Sequence, residues 1–385
     1  MKNNKIFKYL DKPLLIMCIM YSFIGVLMVL SASSVKAVIL NGVSPYYYFF
    51  KQLIIYCIGY LGGLIILTIP TSKYKKFLPL ILVGILVSLV LLLIYGKFTN
   101  SSRSWFYFGG FGIQPSEFAK LAIIIYLGVF FGEQSKKKGR KYAFLIPIIY
   151  SIIVFVLVYE QPDLGTSLII GIITFLTFLV IPMGNNKAAY ITKIGGGVCV
   201  VLLFLFMLFG SNILNDSQAK RLNYKNPCDR YTDVTGYQVC NGFIAFNGGG
   251  LFGKGIGAST QKYLYLPEAH TDFIFPIFVE ELGVLCGIAL ILGFIFIIYK
   301  IFKIASSSFN LRNSIICYGI GIYLLAHLFL NLGGVLALIP LTGVSLPFLS
   351  YGGSFNITLI VAMFIVQKIN VENKQFKIKN EIKNI

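Results

Sequence analysis

The sequence predicts an all-α polytopic membrane protein, ten transmembrane helices with one large extracellular loop between the seventh and the eighth. Three observations predict it. Of 385 residues, 57% are apolar and 12% charged, and the mean hydropathy is +0.81; a soluble domain is about 25% charged. Ten mainly apolar windows lie near 14–33, 50–70, 77–95, 115–132, 143–159, 166–184, 195–214, 273–299, 314–337 and 355–369, each near the length of about 20 residues that crosses the hydrocarbon core. Lys and Arg gather in alternate connections, as cytoplasmic loops do.

The first window follows Lys2, Lys5, Lys8 and Lys12 and lacks a small-residue cleavage pattern, so it reads as a retained anchor. With the amino terminus inside, the inner segments also hold Lys73, Lys75 and Lys76, the cluster from Lys136 to Lys141, Lys187 and Lys193, Lys300, Lys303 and Arg312, and Lys368 with the four tail lysines, together 22 of the 33 basic residues. Both termini are therefore expected in the cytoplasm. The net charge of +19 is accounted for by anionic inner-leaflet lipid, so membrane lipid is the implied partner and no nucleic acid is needed.

The fifth and sixth windows are joined by the tight Glu160-Gln-Pro-Asp-Leu-Gly165 turn, which leaves open a partly re-entrant pair. All connections but one are short, so residues 1–385 read as one integral domain spanning about 14–369. The exception is 215–272, a length that in a compact domain is usually functional or disordered. Its run Asn247-Gly-Gly-Gly-Leu-Phe-Gly-Lys-Gly-Ile-Gly257 can let backbone approach closely, or can be a hinge. The Lys- and Asn-rich residues 370–385 read as a mobile cytoplasmic tail.

Cys18, Cys57, Cys199, Cys286 and Cys317 fall inside apolar windows, whereas Cys228 and Cys240 share the outer loop. A disulfide is permitted there, but spacing does not fix it. His270 and His327 are the only histidines and neither has a second ligand at zinc spacing.

Polar residues gather at the outer end of the predicted bundle. Asp272 closes Tyr265-Leu-Pro-Glu-Ala-His-Thr-Asp272 just before the eighth span. Partial desolvation would raise its pKa and suit it to accept a proton, while Asp is also a favoured helix N-cap; the residues leave both readings open. His270 is either part of that site or solvated at the interface. In Gln114-Pro-Ser-Glu-Phe-Ala-Lys120, Pro115 suits a first turn and Glu117 can pair with Lys120 on one face. Arg103 stands beside Trp105, the only tryptophan, and could grip phosphate. Asp163 lies in the turn before the sixth span, and Ser350 in the broken stretch Pro340 to Ser354, a backbone tolerated at membrane depth only where buried or lining a cavity. Glu280 is about 80° around the eighth helix from Asp272 and could line the same cavity, while Glu281 is expected to pair inside the bundle, with Lys120 a candidate.

These stretches, with Gly250 to Gly257, Ser259-Thr-Gln-Lys262, Leu266 to Phe275, Glu280-Glu-Leu-Gly283 and Leu346 to Ser354, resemble the SEDS family of bacterial cell-wall proteins (shape, elongation, division and sporulation), which includes RodA and FtsW. The resemblance runs from the first span to Ile369, and Ser259-Thr-Gln-Lys262 before Leu266-Pro-Glu-Ala-His-Thr-Asp272 leans towards the FtsW-like branch. It implies the ten-span fold and a peptidoglycan glycosyltransferase that polymerises lipid II (undecaprenyl-diphosphate-linked disaccharide-pentapeptide) outside the membrane, in cell division or cell-shape maintenance. A lipid II flippase or a non-catalytic scaffold for a penicillin-binding transpeptidase are the alternatives.

The resemblance further implies Asp272 as the essential carboxylate, Glu117 and Lys120 as a polar pair within the bundle, and Arg103 and Asp163 as residues of the outer cavity. Arg103, Lys120 and a divalent cation, Mg or Mn, would serve a departing diphosphate; no other cofactor is implied. A class B penicillin-binding protein and other divisome or elongasome proteins are the implied partners. Two departures stand out: the Cys228 and Cys240 pair, and Pro276, expected to kink the eighth helix near Asp272.

Overall fold

The structure, a computed structural model, describes residues 7–96, 103–108, 111–134, 142–182, 187–197 and 224–383. Among the described residues its main helices are α1 (Lys12–Ile39), α2 (Tyr47–Thr68), α3 (Tyr74–Tyr95), α4 (Pro115–Gln134), α5 (Leu145–Tyr159), α6 (Leu164–Val180), α7 (Val234–Gly249), α8 (Ile274–Ser306), α9 (Leu311–Val335) and α10 (Gly353–Lys383), and residues 187–197 are also helical. A short antiparallel ribbon, β1 (Phe106–Phe108) and β2 (Phe111–Ile113), leads into α4. Seven helices among the described residues are long and apolar enough to cross a membrane: α1, α2, α3, α4, α8, α9 and α10. The fifth and sixth predicted windows are the shorter apolar helices α5, of 15 residues, and α6, of 17. Most of the seventh, 198–214, lies outside the described residues.

Burial sorts the helices. In α9 and α10 the apolar windows are 78% and 89% buried, against 22% for α3. The first two form the bundle's centre, and α3 turns most of its surface to lipid. The Lys-rich end is laced by buried polar side chains. Gln367 bonds both backbone groups of Asp11, which caps α1 and pairs with Lys300 at 2.7 Å. Glu372 accepts from Thr71 and Asn313, and Lys368 donates to the Leu67 carbonyl.

These bonds set a depth scale. Asn313 to Asn331 on α9, and Ser354 to Glu372 on α10, are each eighteen residues, about 27 Å of helix. The residues joined to Asn331 and Ser354 therefore lie one hydrocarbon thickness, about 30 Å, from the Lys-rich lacing.

Two expectations are corrected. Residues 370–383, read as a mobile tail, continue α10, because no Gly or Pro interrupts the helix and Asn370 and Glu372 fasten it to the bundle. Pro276 does not kink α8: it sits in the first turn, where its missing N–H has no helical acceptor to lose. The break comes at Gly283, with φ 88° and ψ 164°. Within residues 224–273, the Cys228–Cys240 disulfide joins α7 to the turn at Pro227–Arg230.

Candidate active site

Asp272 is half-buried at the mouth of the bundle and is not a helix cap, since Phe273 holds that position with no side-chain bond. Its backbone is fixed from two sides. Asn331 Nδ2 donates to the Asp272 carbonyl at 2.8 Å and to the Val344 carbonyl at 2.7 Å. Ser350 Oγ donates to the Thr271 carbonyl and accepts from Leu346 N, while Tyr351 N donates to the His270 carbonyl at 2.8 Å. The broken 340–354 stretch thus grips residues 270–272. Gly343 faces the carboxyl with φ +65°, and a Cβ built on it would stand 3.8 Å from Asp272 Oδ2. A glycine there keeps space open beside the acid.

The carboxyl's neighbours make it hard to ionise. Burial, then the charge of Glu268, pushes Asp272 up to about 7, and Lys36 offsets part of this. Thr271 Oγ1 stands 2.7 Å from Glu268 Oε2 and 3.1 Å from Asp272 Oδ1. Lys36, in the last turn of α1, lies 3.5 Å from Glu268 Oε1 and donates to the Pro267 carbonyl.

His270 is not solvated. Its ring is buried between Tyr48 and Tyr351, centroids 5.0 and 5.6 Å away, and burial, then Lys36, pushes its pKa down to about 3. It is neutral and packs; its contribution is to hold the turn segment carrying Asp272.

Glu117 and Lys120 pair at 2.8 Å, both buried, as their spacing predicts. Lys120 is also committed to His327 Nε2 at 3.1 Å, and His327 Nδ1 lies 3.2 Å from the Ser345 carbonyl. A carbonyl can only accept, so Nδ1 carries the proton and Nε2 accepts from Lys120. The triad thereby ties α4 to the 340–354 stretch. Lys120 is not a free cation for a diphosphate, contrary to the expectation. His327 has no zinc partner at ligand spacing, but an ionisable residue within a span is itself a signal.

Gln114 joins the parts. Its backbone N–H donates to Ser354 Oγ at 2.9 Å and its Nε2 to Asp163 Oδ2 at 2.8 Å. Asp163 Oδ1 caps α6 by accepting from Thr166 N. Gly165 backs directly onto the Thr342 backbone, with no room for a side chain. Asp163, Gln114, Ser350 and Asp272 therefore belong to one end of the bundle, connected through 340–354. Arg103 fastens the preceding loop, its N–H to the Gln161 carbonyl and its Nη1 to the Leu93 carbonyl at 3.3 Å.

Glu280 does not line the Asp272 cavity. Its carboxylate is buried and accepts from Lys254 at 2.6 Å, Thr260 at 2.7 Å and Ser259, all in the glycine-rich loop. Glu281 meets Ser31 and Lys262, at 3.3 Å from the latter, and not Lys120. The cause is the break at Gly283. The loop backbone enters it, with Lys254 N and Gly255 N donating to the Glu280 and Glu281 carbonyls, and the Gly250 and Leu251 carbonyls accepting from Val284 and Leu285. Gly253 and Gly283, both at positive φ, pass backbone to backbone, so the glycine run is a clamp and not a hinge.

Fold and site define a multi-pass membrane protein with a half-buried carboxyl of raised pKa at one mouth of its helical bundle. The family model described as "Cell cycle protein", covering FtsW, RodA and SpoVE, matches residues 12–375, and the chain belongs to this family. It is 35% identical over 384 residues to the "Probable peptidoglycan glycosyltransferase FtsW" of Bacillus subtilis (strain 168), covering 97% of this chain and 95% of that protein. It is 34% identical over 367 residues to "Stage V sporulation protein E" of the same organism, covering 94% and 96%. Among solved structures, a chain from "Structural coordination of polymerization and crosslinking by a peptidoglycan synthase complex" superposes with a TM-score of 0.73 at 22% identity, covering 95% of this chain and 99% of that one. The Thermus thermophilus rod shape determining protein RodA gives 0.65 at 21%, covering 94% and 96%. At those identities the two structures speak for the fold.

Proposed function

We propose that the chain is a peptidoglycan glycosyltransferase that polymerises lipid II on the outer face of the bacterial cytoplasmic membrane, with both termini inside. The observation that carries this is Asp272: a carboxyl with a pKa pushed to about 7, beside Gly343, at the depth where a membrane ends. The full-length relatives named as peptidoglycan glycosyltransferases support the activity.

In the reaction, Asp272 takes the proton from the acceptor sugar hydroxyl as that oxygen attacks the anomeric carbon of the donor. The new C–O bond forms as the bond to the diphosphate breaks, and the electron pair leaves with undecaprenyl diphosphate. A single displacement inverts the anomeric centre. A base near neutrality suits this task, because it is ionised at working pH yet basic enough to accept the proton. Glu268, Thr271 and Lys36 set its ionisation, and Ser350, Asn331 and Tyr351 hold it in place.

Among the described residues no three His, Cys, Asp or Glu side chains form a metal cage. Mg is commonly held by one or two carboxylates plus substrate phosphates, and Asp272 with Glu268 offers two. Such an ion would neutralise the departing diphosphate. A class B penicillin-binding transpeptidase is the proposed partner, in keeping with the synthase complex that shares this fold.

The test is to incubate the purified chain, with its cognate transpeptidase, with labelled lipid II in detergent. Glycan strands and undecaprenyl diphosphate should appear together. Movement of lipid II across a bilayer with no diphosphate released would instead make the protein a flippase.

A further inference from the structure

The clamp that enters the α8 break carries bare apolar side chains. Leu251 is 59% exposed, Ile256 75% and Phe252 82%, the last the most exposed large apolar residue among those described. Contiguous exposed apolar surface marks a contact with lipid or protein.

Its place in the fold selects lipid. The Leu251 carbonyl accepts from Leu285 N, which puts the turn beside the first residue of an exposed apolar stripe, Leu285, Ile288, Leu292 and Ile295, on a membrane-spanning helix. Ahead of the break the surroundings change: Ile274 to Glu281 are all buried by protein. The lipid-facing part of α8 therefore begins where the turn is attached. Depth agrees. Lys300 belongs to the Lys-rich lacing through Asp11, and the seventeen residues back to Gly283 rise about 26 Å, close to the hydrocarbon thickness. Charge agrees too, since Lys254, the one ionisable residue in 250–256, is neutralised by Glu280 at 2.6 Å and brings no free charge to the boundary.

We infer that the 250–256 turn is an interfacial wedge, inserting Leu251, Phe252 and Ile256 into the leaflet on the Asp272 side of the membrane. It continues the lipid-facing stripe of α8 and anchors the loop that leads to Asp272. Insertion does not depend on the activity proposed above.

The chain has one tryptophan, so Trp105→Phe with Phe252→Trp makes a single fluorescent reporter. Reconstituted into phosphatidylcholine vesicles, that reporter should emit blue-shifted, resist quenching by aqueous acrylamide, and be quenched more by a spin label high on the acyl chain than by one near its end. Leu292→Trp, mid-helix on α8, should show the reverse order of the two labels. Ile256→Trp repeats the reading at a second exposed position. Acrylamide quenching at both turn positions as strong as for free indole, with no loss to either lipid label, would put the turn in water and overturn the inference. So would shielding that develops only on adding a second protein, which would make this a protein-docking face.

Discussion

Thr271 Oγ1 lies 3.1 Å from Asp272 Oδ1, yet its single proton has a nearer acceptor in Glu268 Oε2 at 2.7 Å. Two carboxylates compete for one hydroxyl, and Asp272 is the one left short of a donor. This arrangement, with burial, keeps its proton affinity high.

Activity should therefore rise with pH along an acid limb centred near 7, since the base must be ionised. Glu268→Gln removes the repelling charge and lowers the Asp272 pKa, so the limb should move to lower pH. An unmoved limb in the variant's pH–rate profile would mean that Glu268 does not tune the base.

Stability should follow the opposite course. The folded pKa is raised, so between about 4 and 7 the folded protein holds a proton that the unfolded chain releases, and stability falls as pH rises through that window. Asp272→Asn removes the effect and should stabilise the protein at pH 8 by about 1–2 kcal/mol, discounted for the carboxyl's partial exposure. Thermal unfolding at pH 5 and pH 8 checks this: the wild type loses stability between them and the variant does not.

Within the bundle, Lys120→Met strands the Glu117 carboxylate, both groups being buried, and should cost about 3–5 kcal/mol. Glu117→Gln added to it should recover much of the loss. If the double variant melts no higher than the single, the cost arises from the lost His327 contact and not from an unpaired charge.

At the α8 break, Gly283→Ala places a side chain at φ 88° against the 251–253 backbone. A loss of at least about 1–3 kcal/mol is expected from strain alone. Amide exchange at Lys254 and Gly255 should quicken, because their acceptors are the carbonyls beside the break. Unchanged exchange there would mean that the clamp is not held by this close passage.

Local signals carried far in this sequence. Nine of the ten apolar windows are helical in the described residues, Glu117 and Lys120 meet as their three-residue spacing requires, and Asp163 caps α6. What stayed hidden depends on chain that returns from a distance. Glu280 and Glu281 find partners some twenty residues back in a loop whose path periodicity cannot give, and His327 meets Lys120 across 207 positions. The break itself misled for a local reason. Pro276 looked like the kink but occupies a turn that tolerates it, while a single helical glycine gives no sign that a loop will enter beside it.

The most direct measurement is lipid II polymerisation by the wild-type chain and by Asp272→Asn, each purified with the cognate transpeptidase and matched for folded content. The variant should keep the complex and unfold at least as high as the wild type while losing about 100-fold or more of the rate, the contribution of a positioned base. Glycan strands made at the wild-type rate by Asp272→Asn would contradict the role assigned to that carboxyl.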